Sequence, residues 1–466
     1  MAMNDAPIDR GLLERYNRPG PRYTSYPTAP HFREHFGDAD LRAAIAASNG
    51  DPIPRRLSVY VHVPFCSSPC FYCGCNRVVT RDKARGDAYL AHLYREISMI
   101  APQFDTDREL IQLHFGGGTP NFLSPSQLRD CVDAIRRAFR FSHSADRDIS
   151  IELDPRFVTP DDIRELAHIG FNRASLGVQD FDPDVQLAVN RVQGVDETRA
   201  VVDACRAHGF RSVNIDLIYG LPKQTPEGFS QTLDDVLAIR PDRLAVYSYA
   251  HLPELFRAQR RIHESDLPSA DAKLSLLMMA IQRLTQAGYL YIGMDHFALP
   301  DDDLARAQAR GGLHRNFMGY TTHADSDLVG VGVSAISHIG DVFSQNPRDL
   351  PSWEAALDEG RLPVFRGLHL SEDDHLRADL IQALMCSGEI PTDALERRYG
   401  IDFDDYFGPC LERLAPLESD GLVRRDGERI VATQRGRLLL RNIAMCFDAY
   451  LDTKADVVRP SFSRSI

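Results

Sequence analysis

The sequence contains no run of 18 or more apolar residues, which excludes a membrane-spanning helix of ordinary length. It has no basic tract either: 53 Lys and Arg stand against 66 Asp and Glu, a net charge of −13. A sequence-independent nucleic-acid binder needs a footprint of cations for the phosphates, and this chain offers none. The N-terminal stretch MAMNDAPIDRGLLERYN lacks the apolar core of a secretory signal, so a cytoplasmic protein is expected. Of only nine cysteines, five (Cys131, Cys205, Cys386, Cys410 and Cys446) are scattered without pairing logic. In a reducing compartment they read as free thiols, mostly small buried hydrophobes. An anionic substrate remains possible, provided local Arg, Lys or His hold it.

The other four cysteines are crowded together. Cys66, Cys70, Cys73 and Cys75 lie in YVHVPFCSSPCFYCGCN (Tyr60 to Asn76), at the end of an apolar run. Thiolates this close repel one another unless a soft metal takes up their charge. Structural zinc typically draws on two separated pairs of ligands, whereas here three cysteines sit at x3 then x2 spacing in one loop. Such a loop wraps one corner of a cubane, giving three thiolates to three irons. Cys75 follows Cys73 too closely to reach the far iron, which leaves that iron open for a small molecule. An iron–sulfur cluster is therefore the leading reading, with zinc or redox thiols as alternatives.

Around this loop the chain alternates. Apolar runs at 57–63, 111–115, 148–153, 173–178, 212–219 and 243–249 are separated by helical patterns at 87–100, 125–141, 160–169, 197–208 and 228–239. Strand, helix, strand at this spacing predicts an α/β fold, an open six-stranded (β/α)6 partial TIM-type barrel. Polar or small residues follow nearly every strand, on the rim where barrels place their chemistry. The prolines of NRPGPRYTSYPTAPHF predict an extended arm over residues 1–50. The barrel and its extension then cover 51–367, with a further helix at 271–286. Residues 368–466 form a mainly helical, winged-helix-like domain, opened by a capping box at Ser371 to Asp374 and closed by a helix at 434–451. Asp426-Gly427 within it predicts a type I′ hairpin.

Several side chains stand where a ligand would sit. Gly116-Gly117-Gly118-Thr119-Pro120 ends the second strand, where glycines let backbone approach a ligand without an intervening Cβ. Glu152 and Asp216 lie in apolar strands near their C-terminal ends, as ligands for hydroxyls or an ammonium or as carboxylates satisfied by a neighbouring arginine. Tyr60 and His62 share one strand face. Arg191 and Lys223 follow strands and could hold carboxylates or be solvated.

The loop CSSPCFYC has the Cx3Cx2C pattern of radical S-adenosylmethionine (SAM) enzymes. Within that group RYTSYPTA, CGCN, HFGGGTPNFL, ISIELDPR, LGVQDF, NIDLIYGLPKQTP, YSYAHLP, GMDHFA, GVGVSAIS and RNIAMCFDAYL resemble the oxygen-independent coproporphyrinogen III oxidases, from Arg22 to about Leu451. The resemblance implies a [4Fe-4S] cluster on Cys66, Cys70 and Cys73 whose open iron chelates SAM. One electron then yields a 5′-deoxyadenosyl radical that takes a β-hydrogen from a propionate. Loss of CO2 and an electron leaves a vinyl group; done twice, this converts coproporphyrinogen III to protoporphyrinogen IX in haem synthesis. It also implies two SAM molecules: the first on Tyr60, Gly117, Glu152 and Ile336, the second on Tyr72, Gly118, Thr119, Gln179, Arg191, Asp216 and Ala250. A flavodoxin-like electron donor and a monomeric chain are expected, with Arg22, Lys223, His296 and Arg315 as candidates for the substrate carboxylates. Met318 stands where the family usually carries Gln, and a thioether is a weak acceptor that cannot donate. Haem-binding chaperones share the barrel and the cluster, and a zinc-stabilised binding module is a third possibility; CGCN and RYTSYPTA favour the oxidases.

Overall fold

The computed structural model describes residues 10–451 and residue 462. They form two units: one from 10–31, 284–324 and 370–451 with residue 462, the other from Phe32–Arg283 and Asp325–His369. This cuts the chain differently from the segments 1–50, 51–367 and 368–466 expected from sequence.

The larger unit holds the barrel strands: β1 (Arg56–Val63), β2 (Glu109–Gly117), β3 (Asp148–Leu153), β4 (Arg173–Gln179), β5 (Ser212–Tyr219) and β6 (Arg243–Ser248). They are parallel in the order β6-β5-β4-β3-β2-β1. On the far side of β1 the sheet continues through β7 (Ser326–Val331), parallel to it, and then β8 (Ile336–Ile339), β9 (Val342–Gln345) and β10 (Arg366–His369), all antiparallel. The sheet is open, as the six-unit pattern predicts. Helices Ala84–Ile100, Pro125–Ala138, Pro160–Ile169, Val195–Ala207 and Pro226–Ile239 occupy the gaps between strands. Their starts are written in the sequence. Ser124 with Gln127 and Thr159 with Asp162 form capping boxes that satisfy otherwise orphaned backbone N–H groups.

Period-two alternation gives each strand two different faces. Leu57, Val59, Val61 and Val63 on β1, Ile149, Ile151 and Leu153 on β3, and Val213, Ile215 and Leu217 on β5 are buried. Tyr60, His62, His114, Ser150, Glu152, Ser175, Asn214 and Asp216 occupy the alternate positions. The barrel thus has one apolar face and one polar face, and the polar face carries the site.

The expected extended arm is not wholly extended. It contains helices Arg10–Tyr16 and Asp38–Asn49. The second begins after the last proline of the arm, and its buried Leu41, Ala44 and Ile45 recur at helical spacing; the prolines before it masked that stripe.

In the smaller unit the helix Glu372–Ser387 starts on the Ser371–Asp374 capping box, and the helices after it accompany a three-stranded antiparallel sheet. The Asp426–Gly427 turn departs from type I′. Only Gly427 takes a positive φ (60°), and Asp426 N–H donates to the Arg429 carbonyl, making Gly427 and Glu428 the loop residues. The closing helix is also shorter than expected, a 3-10 turn at Gly436–Leu439 followed by Leu440–Met445. Asp448 pulls the chain out of the helix by accepting from Tyr450 N–H and the Tyr23 hydroxyl, each at 2.9 Å.

One ion pair anchors the base of the barrel. Arg108 donates to Asp327 at 2.6 Å with both side chains 1% exposed, and Asp327 also accepts from Gly340 N–H. Replacing Asp327 by Ala strands a buried guanidinium, so a loss of about 3–5 kcal/mol in urea unfolding is expected. Asp358→Ala, which removes the exposed partner of Arg95, is expected to cost under about 1 kcal/mol.

Candidate metal and cofactor site

The cysteine loop leaves β1 at Val63, and its backbone is tied down on every side. Cys66 pairs with Val79 across a short parallel bridge. Asn190 Nδ2 donates to the Pro69 carbonyl at 2.7 Å, Arg77 to the carbonyls of Cys70 and Cys73 at 3.1 and 3.2 Å, and Gln259 Nε2 to that of Tyr72 at 2.8 Å. Phe71 N–H donates to the Val189 carbonyl. All nine cysteines are free thiols.

The thiols differ electrostatically. Burial pushes Cys66 up to about 11, against a hydrogen bond with Thr119 Oγ1. Cys73 is drawn down to about 6 by a hydrogen bond from Cys75, helped by the charges of Arg77 and Arg191. Cys70 Sγ accepts from Arg191 at 3.4 Å and from Arg156 at 3.7 Å. Both arginines also grip Asp154, at 3.1 and 2.6 Å. Burial raises the Asp154 carboxyl, but the Arg156 hydrogen bond and the two positive charges outweigh it and hold it below its ordinary value.

The polar barrel face lies below. His114 bonds Ser150 Oγ at 2.6 Å and Glu152 Oε1 at 3.3 Å, and its ring stacks on Tyr60. Glu152 Oε2 accepts from Gly117 N–H at 3.2 Å. Tyr60 reaches His62 Nδ1, while His62 Nε2 contacts the Asn76 carbonyl, and burial lowers the imidazole's proton affinity. Asp216 accepts from Asn214 and Ser175. The glycine run is required by its protein neighbours. Gly117 has φ 114°, and a Cβ there would lie 2.6 Å from the His62 ring; one on Gly118 would lie 2.6 Å from the Pro64 carbonyl oxygen.

A cavity of about 180 Å³ brings together Cys66, Cys70, Cys73 and Cys75 with Tyr72, Gly117, Gly118, Thr119, Glu152, Gln179, Arg191 and Asp216. Tyr60, Ala250 and Ile336, expected from the resemblance to contact SAM, do not line it. Tyr60 is layered behind His114, the Ala250 carbonyl accepts from Gln259, and Ile336 sits on β8. Arg191 is neither solvated nor vacant: it is 6% exposed and held by Cys70, Asp154 and the Gly177 carbonyl. Lys223 is paired with Asp266 at the surface. Three contributors escaped the sequence reading: Arg77, Arg156 and His114. The adjacency of Asp154 and Arg156 in ELDPR was the available signal for one of them.

Residues 60–236 match the Radical SAM superfamily and residues 370–439 the HemN C-terminal domain. An oxygen-independent coproporphyrinogen III oxidase of Pseudomonas aeruginosa is 51% identical over 461 residues, covering 98% of each chain. One from Salmonella typhimurium is 50% identical with the same coverage. The chain belongs to the oxygen-independent coproporphyrinogen III oxidase family. The solved structure of the Escherichia coli radical SAM enzyme coproporphyrinogen III oxidase superposes with a TM-score of 0.90 at 48% identity, covering 95% of this chain and 99% of that one.

Radical SAM enzymes use a [4Fe-4S] cluster and SAM, and the residues here fit that group. Among the described residues no three His, Cys, Asp or Glu converge on a point that would hold a single ion. A cubane asks something different, that each thiolate reach its own iron, and Cys66, Cys70 and Cys73 line one cavity as free thiols, with Cys75 also on its wall. The guanidiniums on Cys70 offset the negative charge that thiolates bring. At about 180 Å³ the cavity is below the roughly 300–1,000 Å³ of ordinary ligand pockets. Arg191 is among the side chains that crowd it.

Asp216 gives a testable pH effect. Burial, and then the charge of Glu152, raise its carboxyl from 3.8 to about 6. Between those values the folded protein binds the proton more tightly than the unfolded chain, so the contribution is full below 3.8 and lost as pH rises through 6. Asp216→Asn is therefore expected to gain stability over the parent by on the order of 1 kcal/mol more at pH 8 than at pH 4.5 in urea unfolding. An equal difference at both pH values would show the carboxyl is not held up.

Proposed function

We propose that this chain oxidises coproporphyrinogen III without oxygen. Two of its propionate side chains become vinyl groups, giving protoporphyrinogen IX in haem biosynthesis. The observation that carries this reading is the single cavity shared by the Cys66, Cys70 and Cys73 thiols with Glu152, Arg191 and Asp216, in a chain alignable end to end with the oxidases. Cys66, Cys70 and Cys73 would hold a [4Fe-4S] cluster, which together with SAM would supply the one-electron radical chemistry for removing a propionate β-hydrogen.

The chain's own residues hold and orient. Glu152, fixed by His114 and Gly117, offers a rigid acceptor for SAM hydroxyls, with Tyr60, Gly117 and Ile336 completing the first SAM site. A second SAM is held by Tyr72, Gly118, Thr119, Gln179, Arg191, Asp216 and Ala250. Asp216 suits an ammonium and Arg191 a carboxylate, the latter once it exchanges the Gly177 carbonyl for the ligand. Arg315 is our first candidate for a substrate carboxylate: it is 5% exposed, and its Nε and one terminal nitrogen lack any hydrogen-bond partner. Arg22 already pairs with Asp295. Met318 does not disturb its hairpin, because the turn is set by Asn316 Oδ1 accepting from Met318 N–H and by Gly319 at φ 106°. A protein one-electron carrier of the flavodoxin type reduces the site, in a reducing cytoplasm suited to nine free thiols.

Anaerobic incubation with reductant, SAM and coproporphyrinogen III is expected to release CO2 and form 5′-deoxyadenosine. A haem-binding chaperone would leave the porphyrinogen intact, and no deoxyadenosine above the reductant-free level would sink the proposal. Cys70→Ala should lose iron, sulfide and activity together, whereas Cys131→Ala, a fully buried thiol on the helix Pro125–Ala138, should keep all three.

A further inference from the structure

The outer surface of the cysteine loop is unusual for this chain in two ways. Five of the ten large hydrophobic side chains exposed among the described residues surround it: Val79, Phe157, Leu187, Val192 and Leu255, each between 45% and 67% exposed. Val79 is the backbone partner of Cys66. Phe157 and Val192 follow directly on Arg156 and Arg191, the two arginines on Cys70. Leu187 lies two residues before Val189, whose carbonyl takes the Phe71 N–H. Leu255 precedes Phe256, whose ring sits against Gly74.

The second feature is charge. The chain carries −13 overall, yet residues 77–85 (RVVTRDKAR) hold four cations and one acid, and residues 254–261 (ELFRAQRR) hold three cations and one acid. Both segments touch the loop: Arg77 through the carbonyls of Cys70 and Cys73, Gln259 through that of Tyr72, and Arg261 over the Phe71 ring at 5.3 Å. Arg81, Arg85, Arg257 and Arg261 are exposed and, among the described residues, in no ion pair. Exposed arginines elsewhere are commonly paired, as Arg397 is with Asp393 and Arg361 with Glu359. Unpaired cations around an apolar patch form a docking surface for a protein of opposite charge.

We propose that this rim is where the electron donor docks, and that the donor is a protein one-electron carrier with an acidic face around its redox centre. The inference rests on the cluster reading above. One electron leaves the carrier's reduced centre, which is oxidised by one, and enters the cluster, which is reduced by one; no proton or group moves. The rim brings the carrier against the segments that hold the cysteine sulfurs. Arg81, Arg85, Arg257 and Arg261 steer the encounter, and the hydrophobic side chains exclude water once it has formed.

The test uses the cluster-loaded full chain under anaerobic conditions, with a reduced flavodoxin as the probe and bleaching of the cluster absorbance as the readout. Charge reversal in the pairs Arg81→Glu with Arg85→Glu, and Arg257→Glu with Arg261→Glu, is expected to slow bleaching at low salt by about tenfold or more and to weaken flavodoxin binding in a titration. Iron and sulfide content, and the rate with photoreduced deazaflavin, which needs no docking surface, should not change. In the unmodified protein added salt should slow flavodoxin-driven bleaching, since screening weakens steering between opposite charges. That measurement decides the matter even if the reversed variants fail to load the cluster. Bleaching indifferent to charge reversal, or to salt in the unmodified protein, overturns the docking surface and leaves the enzymatic reading intact. Failure of deazaflavin to bleach the unmodified protein overturns the cluster reading itself.

Discussion

Everything in the larger unit depends on how negative charge is managed at the end of β1. Three cysteine sulfurs on one short loop become mutually repulsive once ionised. Arg191 and Arg156 lie on Cys70, Arg77 spans the loop's carbonyls, and Asp154 fixes both of the first two guanidiniums. The arrangement is a charge lattice with the thiols as its unfinished corner. The loop is held by the same groups, because Arg77, Asn190 and Gln259 donate to its carbonyls.

The barrel below supplies rigidity of a different kind. Its polar face is a chain of contacts, from Tyr60 to His114 to Glu152 and from Asn214 to Asp216, set by strand register. These carboxylates sit in a half-buried setting where they keep partners and remain able to accept from a ligand. A buried site is electrostatically stronger than a solvated one, for the same reason that its unpaired groups are costly. Glu152 and Asp216 illustrate the two sides: the first is oriented by a histidine and a backbone N–H, while the second is held above its ordinary proton affinity by burial.

Much of this was legible in the residues. The third and fifth barrel strands run over the residues expected, and the helix at 160–169 does too, because Thr159 and Gly170 mark its two ends. The cysteine spacing and the carboxylates near strand ends pointed to the right rim. What was not legible is what depends on chains meeting in space. Arg156 and Arg191 are 35 positions apart and meet only at Asp154 and Cys70. His114 looked like an ordinary strand residue until register set it opposite Tyr60 and Ser150. The closing helix failed as an expectation because Asp448 is spent on the Tyr23 hydroxyl of the N-terminal segment and on Tyr450 N–H, a use that helical periodicity does not encode. Glycines 116–118 were read as letting backbone approach a ligand; their missing side chains also leave room for the Glu152 carboxylate, the His62 ring and the Pro64 carbonyl, a need that spacing alone does not reveal.

The central claim is that Cys66, Cys70 and Cys73 hold one cubane and leave one iron for SAM, with Cys75 outside the ligand set. The Mössbauer spectrum of anaerobic protein reconstituted with ⁵⁷Fe, recorded with and without SAM, tests it most directly. One iron in four should shift its isomer shift and quadrupole splitting when SAM is added, while the other three stay fixed. A spectrum in which all four irons are indifferent to SAM would mean that the protein already supplies a fourth ligand, and would contradict the account.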